Sequence, residues 1–294
     1  MTNAEQPIGN ENDPLIEECE VAHHFVGSLL SEAMSIRRAF ENWLPILVAV
    51  AAGRLRGRPP ALEMRVPEGP TLRVPEGDRS WWTAVECFGF DCYRLGATEL
   101  PPAPVVVDIG ANLGAFTLAL LAHRPHAQVD AYDASPTAVA VLASNIAANN
   151  VGNQVTVHHS AVTGADGLGT VWLNEHVGDL CTSSVLDSQN LTRPSRRVQV
   201  PAVSLSAILS AYQGDVSLIK IDVEGAEYEI VEETPIELLG KVQRMVIEYH
   251  DVPGHDVQEL ARRLAAAGMT WKRQVHSAIP RQGMAWWAKL PGLR

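Results

Sequence analysis

Val105-Val-Val-Asp-Ile-Gly-Ala-Asn-Leu-Gly-Ala-Phe-Thr117 is the stretch that decides how this chain folds. Its first five residues form a short apolar run interrupted only by Asp108, as in a strand covered on both faces. Gly110 and Gly114 then bring the chain into an apolar helical segment. Strand, glycine turn and helix in that order open an α/β sheet. Ligands in such sheets bind at the carboxyl ends of strands, where glycine lets the backbone come close.

Downstream, strands keep alternating with helices, the signature of a mostly parallel sheet covered on both sides. Strands are expected at 105–110, 128–134, 154–162, 216–223 and 244–250, with closing strands near 271–276 and 284–290. Helices are expected at 115–123, 135–149, from about 225, and at 256–268, and a further edge strand at 170–173. The count predicts a Rossmann-like, seven-stranded, doubly wound α/β fold for residues 104–294.

Upstream, residues 1–13 are polar and carry little to bury, and 14–56 read as helix. Apolar Leu29, Leu30, Met34, Ile36 and Phe40 recur at helix-like spacing, and Pro45 is expected to mark a break. The sequence Arg-Val-Pro-Glu-Gly occurs at 65–69 and again at 73–77, which predicts a β-hairpin within a connecting segment at 61–103. The extension at 1–60 has apolar surface without a core of its own, so it reads either as a lid over the pocket or as a homodimer contact.

Composition narrows the classes. A hydrophobic share of 46% supports a packed core. The net charge of -11 comes from 34 acids against 23 bases with no long basic run, which argues against a nucleic-acid partner. The N-terminus lacks the basic and apolar regions of a secretory signal, so a cytoplasmic protein is expected. The apolar run 43–53 is about half of the roughly 20 residues that a membrane span needs, and it reads as a buried or interfacial helix. Cys19, Cys87, Cys92 and Cys181 show neither a disulfide framework nor zinc spacing.

The loop also selects its ligand. Asn112 stands where a dinucleotide-binding turn has its middle glycine, and Asp108 brings negative charge close by. Both features oppose a diphosphate and suit a sulfonium with an α-ammonium, so Asp108, Gly110, Asn112, Gly114 and Thr117 are read as a site for S-adenosylmethionine. Asp133, which ends the next strand and is followed by Ala134, is placed to accept both ribose hydroxyls. An NAD-dependent oxidoreductase is the competing reading, but Tyr212 and Tyr228 lack a lysine four residues on. A binding module without chemistry is the third.

Three segments carry a family resemblance: Asp108-Ile-Gly-Ala-Asn-Leu-Gly114, Lys220-Ile-Asp-Val-Glu-Gly-Ala-Glu227 and Ile247-Glu-Tyr-His250. Together they resemble the FkbM-type methyltransferases, over roughly residues 62–290. The resemblance implies a class I methyltransferase fold and O-methylation of a hydroxyl on a polyketide, sugar or other secondary metabolite, as in antibiotic biosynthesis. It also implies that Ser160 and Ala161 lie near the adenine. Tyr132-Asp133-Ala134 departs from the family's usual Phe-Glu-Pro, keeping the acid with a shorter side chain.

The substrate side reads from two strand ends. Lys220 and Asp222 share one face, Glu224 follows, and Glu248 and His250 reach the same rim from the next strand. Methyl transfer to a hydroxyl of a small molecule needs that proton removed, so Asp222, Glu224 and His250 are the catalytic candidates. His250 is read as a base oriented by Asp222 or Glu224. Asp222, Glu248 and His250 are equally suited to Mg²⁺ or another divalent ion. Glu227 falls in a first helical turn, where an acid is favourable to the helix dipole, and it is read as either structural or part of the site. His158 and His159 are read as structural, and His255 is left out of the site. Trp81-Trp82 and Trp286-Trp287 are read as core, with a lid role for the first pair as the alternative.

Overall fold

Leu218, Ile219, Lys220 and Ile221 are all buried, which requires that both faces of their strand be covered. In the computed structural model, which describes residues 17–18, 29–176, 178, 180–185, 195–276 and 281–289, that strand lies in the middle of the main sheet. The elements begin with β1 (Glu17–Glu18), α1 (Leu29–Ala39), α2 (Trp43–Arg56), β2 (Leu62–Arg65), β3 (Thr71–Val74) and α3 (Trp81–Gly89). They continue with β4 (Val105–Ile109), α4 (Ala115–His123), β5 (Gln128–Asp133), α5 (Pro136–Ala148), β6 (Val155–His159), β7 (Ala161–Thr163) and β8 (Thr170–His176). Then come β9 (Ser195–Ser204), α6 (Leu205–Ala211), β10 (Leu218–Ile221), α7 (Glu227–Glu233), α8 (Ile236–Leu239), β11 (Arg244–Tyr249), α9 (Val257–Ala266), β12 (Met269–His276) and β13 (Gly283–Lys289).

The main sheet has the order β1-β12-β13-β11-β10-β4-β5-β6. Strands β11, β10, β4, β5 and β6 run parallel, and β13 is antiparallel to both β11 and β12. The expected seven strands are present, and the two-residue β1 adds an eighth at the edge. Alternation along the strands splits the core in two: Val106 and Leu218 pack toward α1–α5, whereas Val107, Ile109, Ile219 and Ile221 pack toward α6–α9. From β4 the chain winds outward through β5 and β6, then returns to β10 on the other side. The carboxyl ends of β4 and β10 therefore form the switch point at which open α/β sheets bind ligands.

Several expectations change. The strand expected at 154–162 breaks at Ser160, so that β7 joins a second sheet of order β7-β9-β8, and the expected edge strand at 170–173 belongs there too. The break between α1 and α2 falls at 40–42, not at Pro45, which sits in the first turn of α2 where its missing N–H costs nothing. Helix was expected from residue 14. Glu17–Glu18 are strand instead, and residues 1–16 and 19–28 lie outside the described residues.

The hairpin forms as β2 and β3. Its second strand, β3, is held by two asparagines one helical turn apart, Asn145 on α5 and Asn149 at the C-cap of that helix. Asn145 accepts from Arg73 N at 2.9 Å and donates to Arg73 O at 3.1 Å, and Asn149 does the same for Thr71 at 2.8 and 2.7 Å. Asn145 also donates to Leu113 O at 2.9 Å, which ties the hairpin to the loop after β4.

Candidate active site

The chain turns sharply after β4. The N–H groups of Gly110 and Ala111 both donate to Tyr132 O at 2.9 Å, and Gly110 takes φ +77°. A Cβ at Gly110 would lie 1.7 Å from the Asp222 carbonyl oxygen, so only glycine fits. Asn112, also left-handed at φ +50°, donates its N–H to Asp133 Oδ2 at 2.8 Å, and Ser135 N donates to Asp133 Oδ1 at 2.8 Å. Burial pushes the Asp133 carboxyl up to about 6, against the two backbone donors that hold it down.

Under the loop lies a buried lysine. Lys220 Nζ donates to Gly110 O at 2.6 Å and Ile109 O at 3.3 Å, and it stands 3.5 Å from Asp108 and 3.4 Å from Asp222. Burial opposes its charge, but Asp222, Asp108 and Glu248 outweigh burial and raise its pKa. Asp108 and Thr117 are fully buried, with Thr117 Oγ1 donating to Asp108 Oδ2 at 2.6 Å. Burial still raises Asp108 above the usual carboxylate range despite Lys220. The charge of Asp108, expected to bear on the ligand from close by the loop, is thus met by Lys220 beneath the loop.

Two clefts share a wall. The first crosses the ends of β4 and β5 and is lined by Gly110, Asn112, Asp133, Ala134, Ser160 and Ala161, with Leu173, Leu180 and Val185 also lining it. The second reaches Trp82, Glu86, Tyr93, Lys220, Glu248 and His250. Gly110, Asn112, Asp222 and Glu224 line both. Six of the nine residues expected at a cofactor therefore come together in the first cleft. Asp108 and Thr117 lie behind it, and Gly114 begins α4, where a Cβ would meet Leu142 at 2.7 Å.

At the shared wall the acids are organised by Glu227, which is fully buried. Its Oε2 accepts from Gly225 N at 2.9 Å, and its Oε1 accepts from His250 N at 2.7 Å and from His250 Nδ1 at 3.0 Å. His250 Nε2 then stands 3.5 Å from Glu224 Oε2, and Glu224 holds a left-handed φ of +56°. Burial works against a charged imidazole, yet Glu227, Glu224 and Glu248 raise His250 well above the ordinary histidine range. One donor atom from each of Asp222, Glu224 and His250 lies within 4.8 Å of the others. Glu248, expected in that group, is not part of it. Its carboxyl is raised well above the usual range by burial, then by Asp222.

One site residue was not singled out by sequence reasoning. Glu86, on α3, lines the second cleft, and burial pushes it up to about 7, with a hydrogen bond from Trp82 opposing and Asp222 adding. The i, i+4 spacing of Trp82 and Glu86 was the available signal. Glu227, open in sequence to a structural or a site role, holds His250 Nδ1 at 3.0 Å, the place expected for Asp222 or Glu224. His158 pairs with Asp130 at 2.8 Å and stacks on Tyr132, and His255 pairs with Glu259, both outside the two clefts. Trp287 is core, as expected, whereas Trp82 lines the second cleft.

Residues 108–269 match the Methyltransferase FkbM domain. Methyltransferase sdnD of Sordaria araneosa is 27% identical over 194 residues, spanning 58% of this chain and 74% of that protein. The 31-O-demethyl-FK506 methyltransferase FkbM of Streptomyces tacrolimicus is 26% identical over 218 residues, spanning 65% and 82%. A solved structure, M. jannaschii TYW2 in complex with AdoMet, aligns at 15% identity and a TM-score of 0.43, covering 78% of this chain and 87% of that one. The matched domain spans more than half the chain and contains the loop, the acids and His250, and the chain belongs to the FkbM methyltransferase family.

Proposed function

We propose that this chain is an S-adenosylmethionine-dependent O-methyltransferase acting on a hydroxyl of a small molecule, with Asp222, Glu224 and His250 at the reaction centre. The observation that carries the reading is the wall of Gly110, Asn112, Asp222 and Glu224 common to a cleft shaped by Asp133 and an acid-lined cleft beside it. S-adenosylmethionine, when bound, supplies a methyl group on a cationic sulfur, open to in-line displacement. The residues present fit it. Asp133 keeps lone pairs for ribose hydroxyls beyond its two backbone donors, and the buried Oδ1 of Asn112 has no hydrogen-bond partner among the described residues. Asp133, Asp222 and Glu224 favour a cationic ligand.

A hydroxyl at the shared wall gives its proton to the carboxylate of Asp222 or Glu224. His250, held as a charged imidazolium by its carboxylate neighbours, is a donor rather than a base, and it positions Glu224. The name of the Streptomyces relative describes an O-demethylated acceptor, which supports oxygen as the accepting atom. A nucleic-acid acceptor is disfavoured by the net charge of -11 and by acids on both sides of the shared wall. The oxidoreductase and the inert binding module are disfavoured by the family.

Calorimetry with S-adenosylhomocysteine and with NAD tests the cofactor, and methyl release onto a panel of hydroxylated metabolites tests the reaction. Asp222→Ala is expected to abolish turnover while S-adenosylhomocysteine still binds; binding of NAD alone, or undiminished turnover in Asp222→Ala, would sink the reading. A second reading is favoured by the grouping of Asp222, Glu224 and His250 donors, with Nδ1 of His250 held by Glu227 as in carboxylate–histidine–metal arrangements. Those residues would hold Mg²⁺, which would supply Lewis-acid activation of a hydroxyl. Full turnover after exhaustive chelation would dismiss the ion.

A further inference from the structure

Helix α2 is apolar on two opposite sides. Ile46, Val50 and Gly53 recur at i, i+4 and i+7 and are buried. Leu44, Val48, Ala51 and Leu55 recur at the same kind of spacing on the far side and are exposed, Leu44 by 55%, Val48 by 62% and Leu55 by 90%. A surface helix normally turns charged or polar residues outward, whereas α2 does so only in its last turn, with Arg54 and Arg56. On the neighbouring α1, Leu30, 67% exposed, and Met34 are also outward. Among the described residues, the other exposed large apolar side chains are Phe90, Leu168 and Trp172. The stripe from Leu44 to Leu55 is about 17 Å long at the helical rise, and no helix among the described residues is long and apolar enough to cross a membrane.

Arginines frame this patch. Arg37, Arg38, Arg54, Arg56 and Arg58 are exposed, against two acids in the same stretch, Glu32 and Glu41. Arg54 is bridged to Glu32 at 2.5 Å and Arg58 to Glu76 at 3.6 Å, while Arg38 and Arg56 have no ion pair among the described residues. In a chain of net charge -11, this is a local reversal of sign.

We propose that the outer face of α1 and α2 docks onto an anionic lipid surface, with the arginines among the headgroups and Leu44, Val48 and Leu55 entering the acyl boundary. Apolar side chains rimmed by cations are what such a surface recognises. A second copy fits less well, because a two-fold contact sets the patch against itself and brings arginine to arginine. The rest of the molecule, being acidic, is repelled by the same lipids, so docking is confined to this face. The core side of these helices leads toward the second cleft: buried Phe40, just beyond α1, packs edge-on against Phe88 of α3 at 6.3 Å, and α3 supplies Trp82 and Glu86 to that cleft.

The test is co-sedimentation of the full chain with vesicles of phosphatidylcholine, with and without phosphatidylglycerol. Binding is expected only to the anionic vesicles, weakening in high salt. It should drop about tenfold when Arg38 and Arg56 are changed to Gln, and similarly in the Leu44→Gln, Val48→Gln, Leu55→Gln combination. These side chains are exposed, so the melting temperature of each variant should match the parent's. Failure to sediment with anionic vesicles, or equal sedimentation of parent and variants, overturns the proposal. So does a dimer in light scattering that the triple variant dissociates, which assigns the stripe to a second copy, and so does vesicle binding that appears only after residues 1–28 are removed, which assigns it to that segment.

Discussion

Glu227 Oε1 lies 3.0 Å from His250 Nδ1 and 2.7 Å from the same residue's backbone nitrogen, so one buried carboxylate fixes both the ring and the end of the strand that carries it. The pair is an ionic contact in a dry setting, where losing one partner strands the other.

Glu227→Gln therefore has a titration signature. His250 is raised above its ordinary 6.5, so the fold prefers the imidazolium. That contribution to stability is complete below about 6.5 and fades as pH rises through the raised value. In Glu227→Gln the His250 ring resonance should titrate at lower pH than in the parent, and stability at pH 6 should fall by about 2 kcal/mol, with a smaller deficit in strong alkali. An unchanged His250 titration would remove Glu227 as the cause.

Lys220 offers a second test. It neutralises Asp108 and holds two carbonyls of the loop, at Ile109 and Gly110. Lys220→Met keeps the volume but leaves Asp108 buried without a cation, and should cost about 3 kcal/mol in denaturant unfolding. The freed loop should bind S-adenosylhomocysteine at least about tenfold more weakly, as read by calorimetry. A stable variant with parental affinity would mean that the loop is held by its glycines and by Asp133 alone.

The loop and most of the main sheet were legible because their signals are local. Val105 to Gly114 announces itself, and α4 begins and ends where the helical spacing does. The second sheet was not legible. β9 pairs with β8 across residues 177–194 and with β7 about 40 positions away, and nothing local distinguishes its alternation from that of an edge strand. The site divides in the same way. Asp222, Glu224 and His250 stand at strand ends, where position in the fold implies position in space. Lys220 was visible on the same face as Asp222, but its role depends on Asp108 and Gly110, which are brought beside it by the β4–β10 pairing. Glu86 enters from a helix outside the alternating pattern, so no strand-end argument reached it.

Asp133 predicts the pH dependence of cofactor binding. Burial raises its carboxyl from 3.8 to about 6, so the fold favours the neutral acid; that stabilisation is present below about 3.8 and is lost as pH rises through about 6. Acceptance of two ribose hydroxyls requires the carboxylate. Affinity for S-adenosylhomocysteine should accordingly be flat above pH 7 and fall toward about tenfold per pH unit well below 6. Asp133→Asn should bind more weakly and lose this dependence; a parental profile in that variant would place the ribose elsewhere.

Glu86 is the last. Burial, opposed by the Trp82 hydrogen bond and reinforced by Asp222, lifts it from 4.5 to about 7, so its contribution to stability is complete below about 4.5 and disappears as pH rises through about 7. Glu86→Gln removes the cost of ionising that site. Relative to the parent, the variant should gain about 1 to 2 kcal/mol between pH 5 and pH 8, less than the full shift implies because the side chain keeps some solvent. Turnover should respond independently. An ionised Glu86 on the wall of the second cleft, near Asp222, helps draw the acceptor's hydroxyl into place, so the parent rate should rise through about pH 7 and the Glu86→Gln rate should be lower and flat. A stability gain with the parental pH–rate profile intact would confine Glu86 to packing against Trp82.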